Sequence, residues 1–274
     1  QDLRARLADR HVFRSRTDTE VIIHLYEEFG LDCVALLRGM FAFALWDSKA
    51  RRVVLARDRV GKKPLYYSVN HEGLTFASEL KALLVGGPPR DIDPIALHHY
   101  LTFQYVPAPW AIFQGVRKLK PGHMLVCEDG KQTERPYWTL SYRKTSRVRT
   151  EEECREEFLA LLREATQLRL VSDVPLGAFL SGGMDSSAVV ALMSQLTTQP
   201  VKTFSIGFKE DTFNELPYAR QVASGYGTEH HEFVVEPSAV DILPTLAQVF
   251  DEPFADSSAI PTYYVSQLSR QFVT

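Results

Sequence analysis

Apolar and polar positions follow two different patterns along the chain. In the first half, short apolar runs of strand length recur at Met40 to Trp46, Val53 to Ala56, Leu65 to Val69 and Leu74 to Ala77. Turn-forming stretches such as Asp47-Ser48-Lys49-Ala50 separate them. Helical spacing flanks these runs: Leu3 and Leu7, then Val21, Ile22, Leu25, Tyr26 and Phe29 closed by Gly30, then Asp32 to Arg38, then Glu79 to Leu84. A short strand is expected over His11 to Ser15, and Thr17 and Glu20 stand at capping-box spacing. Antiparallel strands with helices beside them make an α+β half.

Residues 86 to 142 are less periodic, broken by Gly86-Gly87-Pro88-Pro89, Val106-Pro107-Ala108-Pro109 and Pro121-Gly122, with short strands such as Met124 to Glu128 between the breaks. Ser141 to Arg149, with Arg143, Lys144, Arg147 and Arg149, reads as an exposed linker. From Thr150 the pattern changes. Thr150 and Glu153 form a capping box, and Phe158, Leu161, Leu162, Ala165 and Leu168 mark one face of a long helix. After it strands and helices alternate: Val174 to Leu180, a helix to Leu196, Val201 to Phe208, Pro217 to Tyr226, His231 to Val235, Ser238 to Phe250, Ser257 to Gln271, and a strand from Phe272. That alternation predicts βαβ units and a parallel sheet. Two domains follow, 1–142 with a linker region from about 86, and 143–274.

The second half turns on VPLGAFLSGGMDSSAVVALMSQL, 174 to 196. An apolar strand runs into a small-residue turn, Ser181 to Ser187, and a helix starts at Ala188. Such a turn directs free amides and the positive end of a helix at whatever sits above it, and Gly182 and Gly183 let that group approach. The expected guest is phosphate. A Walker lysine and the third glycine of a dinucleotide fingerprint are both missing. In their place stand the hydroxyls of Ser181, Ser186 and Ser187 and the carboxylate of Asp185, donors suited to pyrophosphate and its Mg²⁺. Helix capping alone also accounts for Asp185 and Ser186.

A second acidic stretch, Asp251-Glu252-Pro253-Phe254-Ala255-Asp256, lies on a loop that Pro253 keeps out of helix. Asp256 either completes Mg²⁺ coordination with Asp185 or caps the next helix. Ile206 is placed to pack on a purine ring or simply fills a core. His98-His99 and His230-His231 are read as strand neighbours pointing to opposite faces and receive no role.

Composition narrows the classes. The 274 residues are 45% hydrophobic and 24% charged with net charge −3, which argues against a nucleic-acid binder, and no run of about 18 apolar residues suggests a membrane span. Cys33, Cys127 and Cys154 are scattered, with no C-x-x-C pair, which fits a reducing cytoplasmic setting. The opening QDLRARLADR and the closing QFVT read as a helix and a strand cut short, hence a fragment.

The loop SGGMDSS resembles the pyrophosphate loop of ATP-pyrophosphatases. With RGMFAFALWD (38–47), ARDRVGKKPLYY (56–67) and FASELKALL (76–84), the whole chain resembles glutamine-dependent asparagine synthetases of the bacterial type. The resemblance implies an incomplete class II glutaminase αββα sandwich followed by an incomplete α/β ATP-pyrophosphatase domain. Glutamine, aspartate and ATP are the implied substrates, with Mg²⁺ as cofactor, β-aspartyl-AMP as intermediate, and AMP and pyrophosphate as products. It carries pyrophosphate binding onto Ser181 to Ser187, Mg²⁺ onto Asp185 and Asp256, the adenine site onto Phe179 and Ile206, adenylate formation onto Glu252, and the glutamine amino group onto Asp18. Glu252 and Asp256 stand one residue further apart than the family pattern. The nucleophilic cysteine and the asparagine-glycine pair should precede Gln1, and a second ATP loop and a lysine should follow Thr274, so this segment alone is not expected to hydrolyse glutamine. A β-lactam synthetase or peptide cyclase with an inactive glutaminase domain, and a non-catalytic nucleotide-binding module, are the alternatives; a homodimer is compatible with the sequence.

Overall fold

The computed structural model describes residues 2–71, 73–85, 87–142, 148–208, 214–235 and 239–273. Gly86, the basic linker residues Arg143, Lys144 and Arg147, the helix start at Ser238 and the strand end at Thr274 lie outside the described residues. Two compact units divide the chain. The first holds the residues up to Tyr142 together with Ala247–Ala255, and the second holds the rest.

The first unit is built from α1 (Asp2–Leu7), α2 (Thr19–Phe29), α3 (Cys33–Leu36), β1 (Ala42–Asp47), β2 (Arg52–Arg57), β3 (Tyr66–Asn70), β4 (Gly73–Ala77), α4 (Leu80–Leu83), α5 (Pro94–Phe103), β5 (Val116–Lys118), β6 (His123–Glu128) and β7 (Lys131–Pro136). Its strands form two antiparallel sheets, ordered β1-β2-β6-β7 and β4-β3-β5. Period-two alternation sorts their side chains into layers. Leu55, Leu125, Tyr67 and Leu65 face one another in a cluster shared by the two sheets. Ala56, Met124 and Val126, on the other face of the first sheet, pack under Leu7, Leu25, Cys33 and Val34 of α1 to α3. Tyr66 and Val116 turn the other way and meet Leu80 and Leu83 of α4 and Ala96 of α5. The order is therefore helices, sheet, sheet, helices.

Four expectations fail in this unit. Residues 11–15 alternate in burial but join no ladder. The Glu20 carboxylate takes the N–H groups of Arg14 (2.6 Å) and Ser15 (2.8 Å) and the Ser15 hydroxyl (2.6 Å), so that backbone is satisfied without a strand. The same bonds replace the expected Thr17 capping box, because α2 begins at Thr19 with Asp18 at its N-cap. In the stretch read as aperiodic, α5 forms with Pro94 in its first turn and the Asp93 carboxylate accepting from Ile95 N and Ala96 N. His98 and His99 are therefore helical, not strand residues.

The second unit contains α6 (Glu151–Arg169), β8 (Gly177–Phe179), α7 (Met184–Leu196), β9 (Lys202–Phe208), α8 (Leu216–Tyr226), β10 (Glu229–Val235), the first part of α9 (Ala239–Phe250) and α10 (Ala259–Ser269). The strands form a parallel sheet ordered β10-β9-β8. Leu180, with Ala178, packs under Val190 of α7 and Ala219 and Ala223 of α8. Phe204 points to the opposite face, toward Phe272 beyond α10. The Thr150–Glu153 capping box forms as expected. The apolar face predicted for α6 is only partly used: Leu162 and Ala165 are half-buried, whereas Phe158, Leu161 and Leu168 stay exposed. The strand expected over Val174 to Leu180 shrinks to Gly177–Phe179, and the chain from Phe272 is a turn rather than a strand.

Candidate functional site

The loop after β8 is short and internally braced. Leu180 N donates to Phe204 O (2.8 Å), continuing the ladder past the strand end. Ser181 then opens a knot of hydroxyls, its Oγ lying 3.0 Å from Ser186 Oγ and accepting from Gly183 N at 3.2 Å. Ser186 Oγ in turn accepts from Ser181 N (3.3 Å) and donates to Gly183 O (3.2 Å). Between them Gly182 has φ +80°, and a Cβ there would stand 2.6 Å from both Tyr218 Cβ and Ala219 N of α8. Only glycine fits that close approach in the left-handed region. The turn is tighter than the sequence suggests, since α7 begins at Met184 and so carries Asp185, Ser186 and Ser187 in its first turns.

This geometry leaves donors in the open. The first bond within α7 runs from Ser187 N to Gly183 O (3.0 Å), so the amides of Met184, Asp185 and Ser186 precede any intrahelical partner. Gly183 at the N-cap supplies no side-chain cap. Ser187 Oγ is buried and lacks a partner among the described residues. The Asp185 side chain is exposed on the same turn. Open amides, an unused buried hydroxyl and a carboxylate on a helix N-terminus fit a polyphosphate accompanied by a hard cation.

The neighbouring expected residues fall as follows. Phe179 pairs in register with Phe204, and Ile206 lies two residues beyond Phe204, so both project from the face opposite α7 and α8. Phe179 lines a cleft of about 230 Å³ with Gly177, Phe204, Ser266, Ser269 and Arg270. Ile206 shares the face but does not line that cleft. Asp256 accepts from Ser258 N (2.8 Å), and hydrogen bonds from Ser258 hold its carboxyl below the usual range. It is exposed, ahead of an α10 whose N-cap is Ser258.

Asp18 and Glu252 belong to the first unit. Asp18 occupies the N-cap of α2 without a side-chain cap bond, and its exposed carboxylate accepts from the Thr19 hydroxyl at 3.4 Å. Glu252 is enclosed by partners. Lys118 Nζ lies 2.5 Å away, Ile112 N donates at 2.8 Å, and Tyr66 OH donates at 3.2 Å. Burial pushes the Lys118 ammonium below its usual value, opposed by Glu252, and raises the Tyr66 phenol. The neighbouring Asp251 accepts from Lys81 N (3.1 Å).

One organising residue escaped the sequence reading. Asp58, 1% exposed, accepts from Phe41 N, Val60 N, Lys62 N and Lys63 N and so shapes the loop after β2. The signal was an aspartate directly before a glycine-containing turn, which side-chain-to-backbone bonding favours.

Residues 1–138 match the glutamine amidotransferase domain family, and residues 157–274 match the asparagine synthase family. The chain therefore belongs to the glutamine amidotransferase domain family over its first half, and its second half is similar to the asparagine synthase family. It is 36% identical over 270 residues to asparagine synthetase [glutamine-hydrolyzing] 1 of Bacillus subtilis, covering 97% of this chain and 42% of that protein. A Methanocaldococcus jannaschii protein provisionally named asparagine synthetase [glutamine-hydrolyzing] 2 is 37% identical over 263 residues, 94% of this chain and 51% of that one. The chain thus spans about half the length, or less, of these relatives. Among solved structures, glutamine phosphoribosylpyrophosphate amidotransferase from B. subtilis aligns with TM-score 0.37 and 16% identity, covering 87% of this chain and 46% of that chain, too weak a likeness to bear on the fold. Among the described residues no helix is long and apolar enough to cross a membrane.

Proposed function

We propose that this chain serves an ATP-dependent ligase that converts aspartate to asparagine with ammonia released from glutamine. Residues 1–142 would form a class II glutaminase and 143–274 an ATP-pyrophosphatase domain. The order of helices, sheet, sheet, helices supports the first assignment, and the parallel sheet with its braced loop supports the second. The observation that carries the reading is the Ser181–Ser187 loop, where amides without intrahelical partners and a buried Ser187 hydroxyl unpartnered among the described residues stand beside Gly182, a position that admits only glycine.

A carboxylate is a poor electrophile, so the aspartate side chain must first gain a leaving group. Attack of that carboxylate on the α-phosphorus of ATP forms β-aspartyl-AMP and expels pyrophosphate, and ammonia then displaces AMP. The amides at the start of α7 and the serine hydroxyls would receive the departing charge. Asp185 and Asp256 would hold Mg²⁺, which when bound supplies charge neutralisation at the leaving pyrophosphate. The shared face of Phe179 and Ile206 supports an adenine site there. Asp18, with its carboxylate unspent on capping, suits the α-amino group of glutamine. Glu252 is assigned to adenylate formation by family resemblance, while its contacts in this chain are those of a buried ion pair. Free thiols at Cys33, Cys127 and Cys154 fit a reducing cytoplasmic setting, and a homodimer belongs to the same proposal.

The test is aspartate-stimulated exchange of labelled pyrophosphate into ATP by the intact protein. Exchange is expected, and Asp185→Asn is expected to lower it by about 10²–10³-fold with the fold unchanged, as for removal of one charge-stabilising group. Release of ADP and orthophosphate instead of AMP and pyrophosphate would overturn the assignment.

A further inference from the structure

Away from the candidate site, two histidines and a glutamate converge on the outer helical layer of the first unit. Glu27 Oε2 lies 2.8 Å from His24 Nδ1 and 3.3 Å from His11 Nδ1. The three ligand atoms all fall within 4.8 Å of one another. His24 and Glu27 are three apart on α2 and so share a face. His11 follows α1, where its N–H is tied to Leu7 O at 2.9 Å, and its ring lies 4.5 Å from that of His24. Phe13 packs edge-on against His24 at 4.8 Å, fixing that ring from the other side.

The far nitrogens of the two rings differ. His11 Nε2 is 3.0 Å from Glu28 Oε1, and the other oxygen of that carboxylate is paired with Arg10 at 2.5 Å. A carboxylate at Nε2 places the proton there and leaves the Nδ1 lone pair facing Glu27. His24 Nε2 is buried, makes no hydrogen bond among the described residues, and lies 3.9 Å from Glu20 Oε1. Two imidazole lone pairs and a carboxylate oxygen that meet at a point repel one another unless a proton or a cation lies between them. Ligands about 2.0–2.1 Å from a tetrahedral zinc ion stand about 3.3–3.4 Å apart; the 3.3 Å between His11 and Glu27 matches that, and the 2.8 Å between His24 and Glu27, a direct hydrogen bond without the ion, would open by about half an ångström.

We propose that His11, His24 and Glu27 bind a divalent transition-metal ion, zinc by ligand type, with Glu28 as the outer carboxylate that orients His11. Two imidazoles and one carboxylate are a zinc donor set with a fourth position open to water. The ion would fasten the segment after α1 to the middle of α2. The inference does not rest on the proposed ATP and glutamine sites.

The test is titration of the metal-free full chain with Zn²⁺ against a chromophoric chelator, with Co²⁺ absorption as a second reading of coordination. One equivalent is expected to bind, with a tetrahedral Co²⁺ spectrum. His24→Gln and His11→Gln should each weaken binding more than tenfold, and Glu28→Gln by about 10–100-fold, as for an outer-shell partner. Thermal melting in chelator separates lost ligation from lost folding: the variants should melt like the wild type there, and only the wild type should gain stability from Zn²⁺. If a variant does not fold, X-ray absorption of the zinc-loaded wild type decides, a shell of two imidazole nitrogens and a carboxylate oxygen being expected. No stoichiometric binding, binding unchanged in His24→Gln, or a shell without imidazole would overturn the proposal.

Discussion

Gly182 shows how closely a single position can be constrained. Its φ of +80° strains any L-residue, and the missing Cβ leaves room for Tyr218 and Ala219. Gly182→Ala is expected to destabilise the second unit by about 1–3 kcal/mol, the range for overpacking, as measured by chemical denaturation, and to weaken ATP binding. Glu20 sets a second residue-scale expectation. The Ser15 hydroxyl and the N–H of Arg14, with smaller contributions from Ser15 N–H and Arg4, hold its carboxyl down from 4.5 to about 2. The folded value lies below the ordinary one, so the stabilisation is present above pH 4.5 and is lost as pH falls toward 2. Glu20→Gln should therefore flatten the acid limb of the stability profile between those limits, read from urea midpoints across pH.

At the scale of the element, α6 separates what local chemistry decides from what packing decides. Its start is set within four residues by the reciprocal bonds of Thr150 and Glu153, and Thr150→Ala should cost about 1 kcal/mol in thermal or urea unfolding. That boundary was legible in the sequence because both partners are local. The burial of its apolar face was not, because the face depends on a neighbour: α6 touches α7, yet Leu162 and Ala165 are only half-buried while Phe158, Leu161 and Leu168 stay exposed. The same division explains the other differences. Residues 11–15 alternate like a strand, but whether they pair depends on Glu20 and on which edges are open. Helix α5 was hidden because its flanking prolines read as breaks, although Asp93-Pro94 is a helix-start signal. The Ser181–Ser187 loop was legible almost throughout, since a strand, two glycines and three serines are contiguous. His11 and His24 were not, since only the packing of α1 against α2 makes neighbours of them.

For the molecule as a whole, the telling contact is the buried pair of Lys118 and Glu252, with its links to Ile112 N and Tyr66. Removing one partner of a buried ion pair leaves the other charge uncompensated, and Glu252→Gln should destabilise the first unit by about 3–5 kcal/mol in urea unfolding. Lys118→Met combined with Glu252→Gln should recover most of that loss, since a buried charge no longer remains. If Glu252 also serves adenylate formation, the double variant will stay folded yet fail to exchange pyrophosphate, which separates the two roles.

The pair also bears on how the protein is made. A ribosome delivers Lys118 long before Glu252, with most of the second unit synthesised in the interval, so the nascent first unit carries an ammonium in a closing interior with no counterion. Its last step of consolidation must wait for a stretch of polypeptide that emerges far later, and a chain stalled at residue 142 should remain open to protease where the released protein is not.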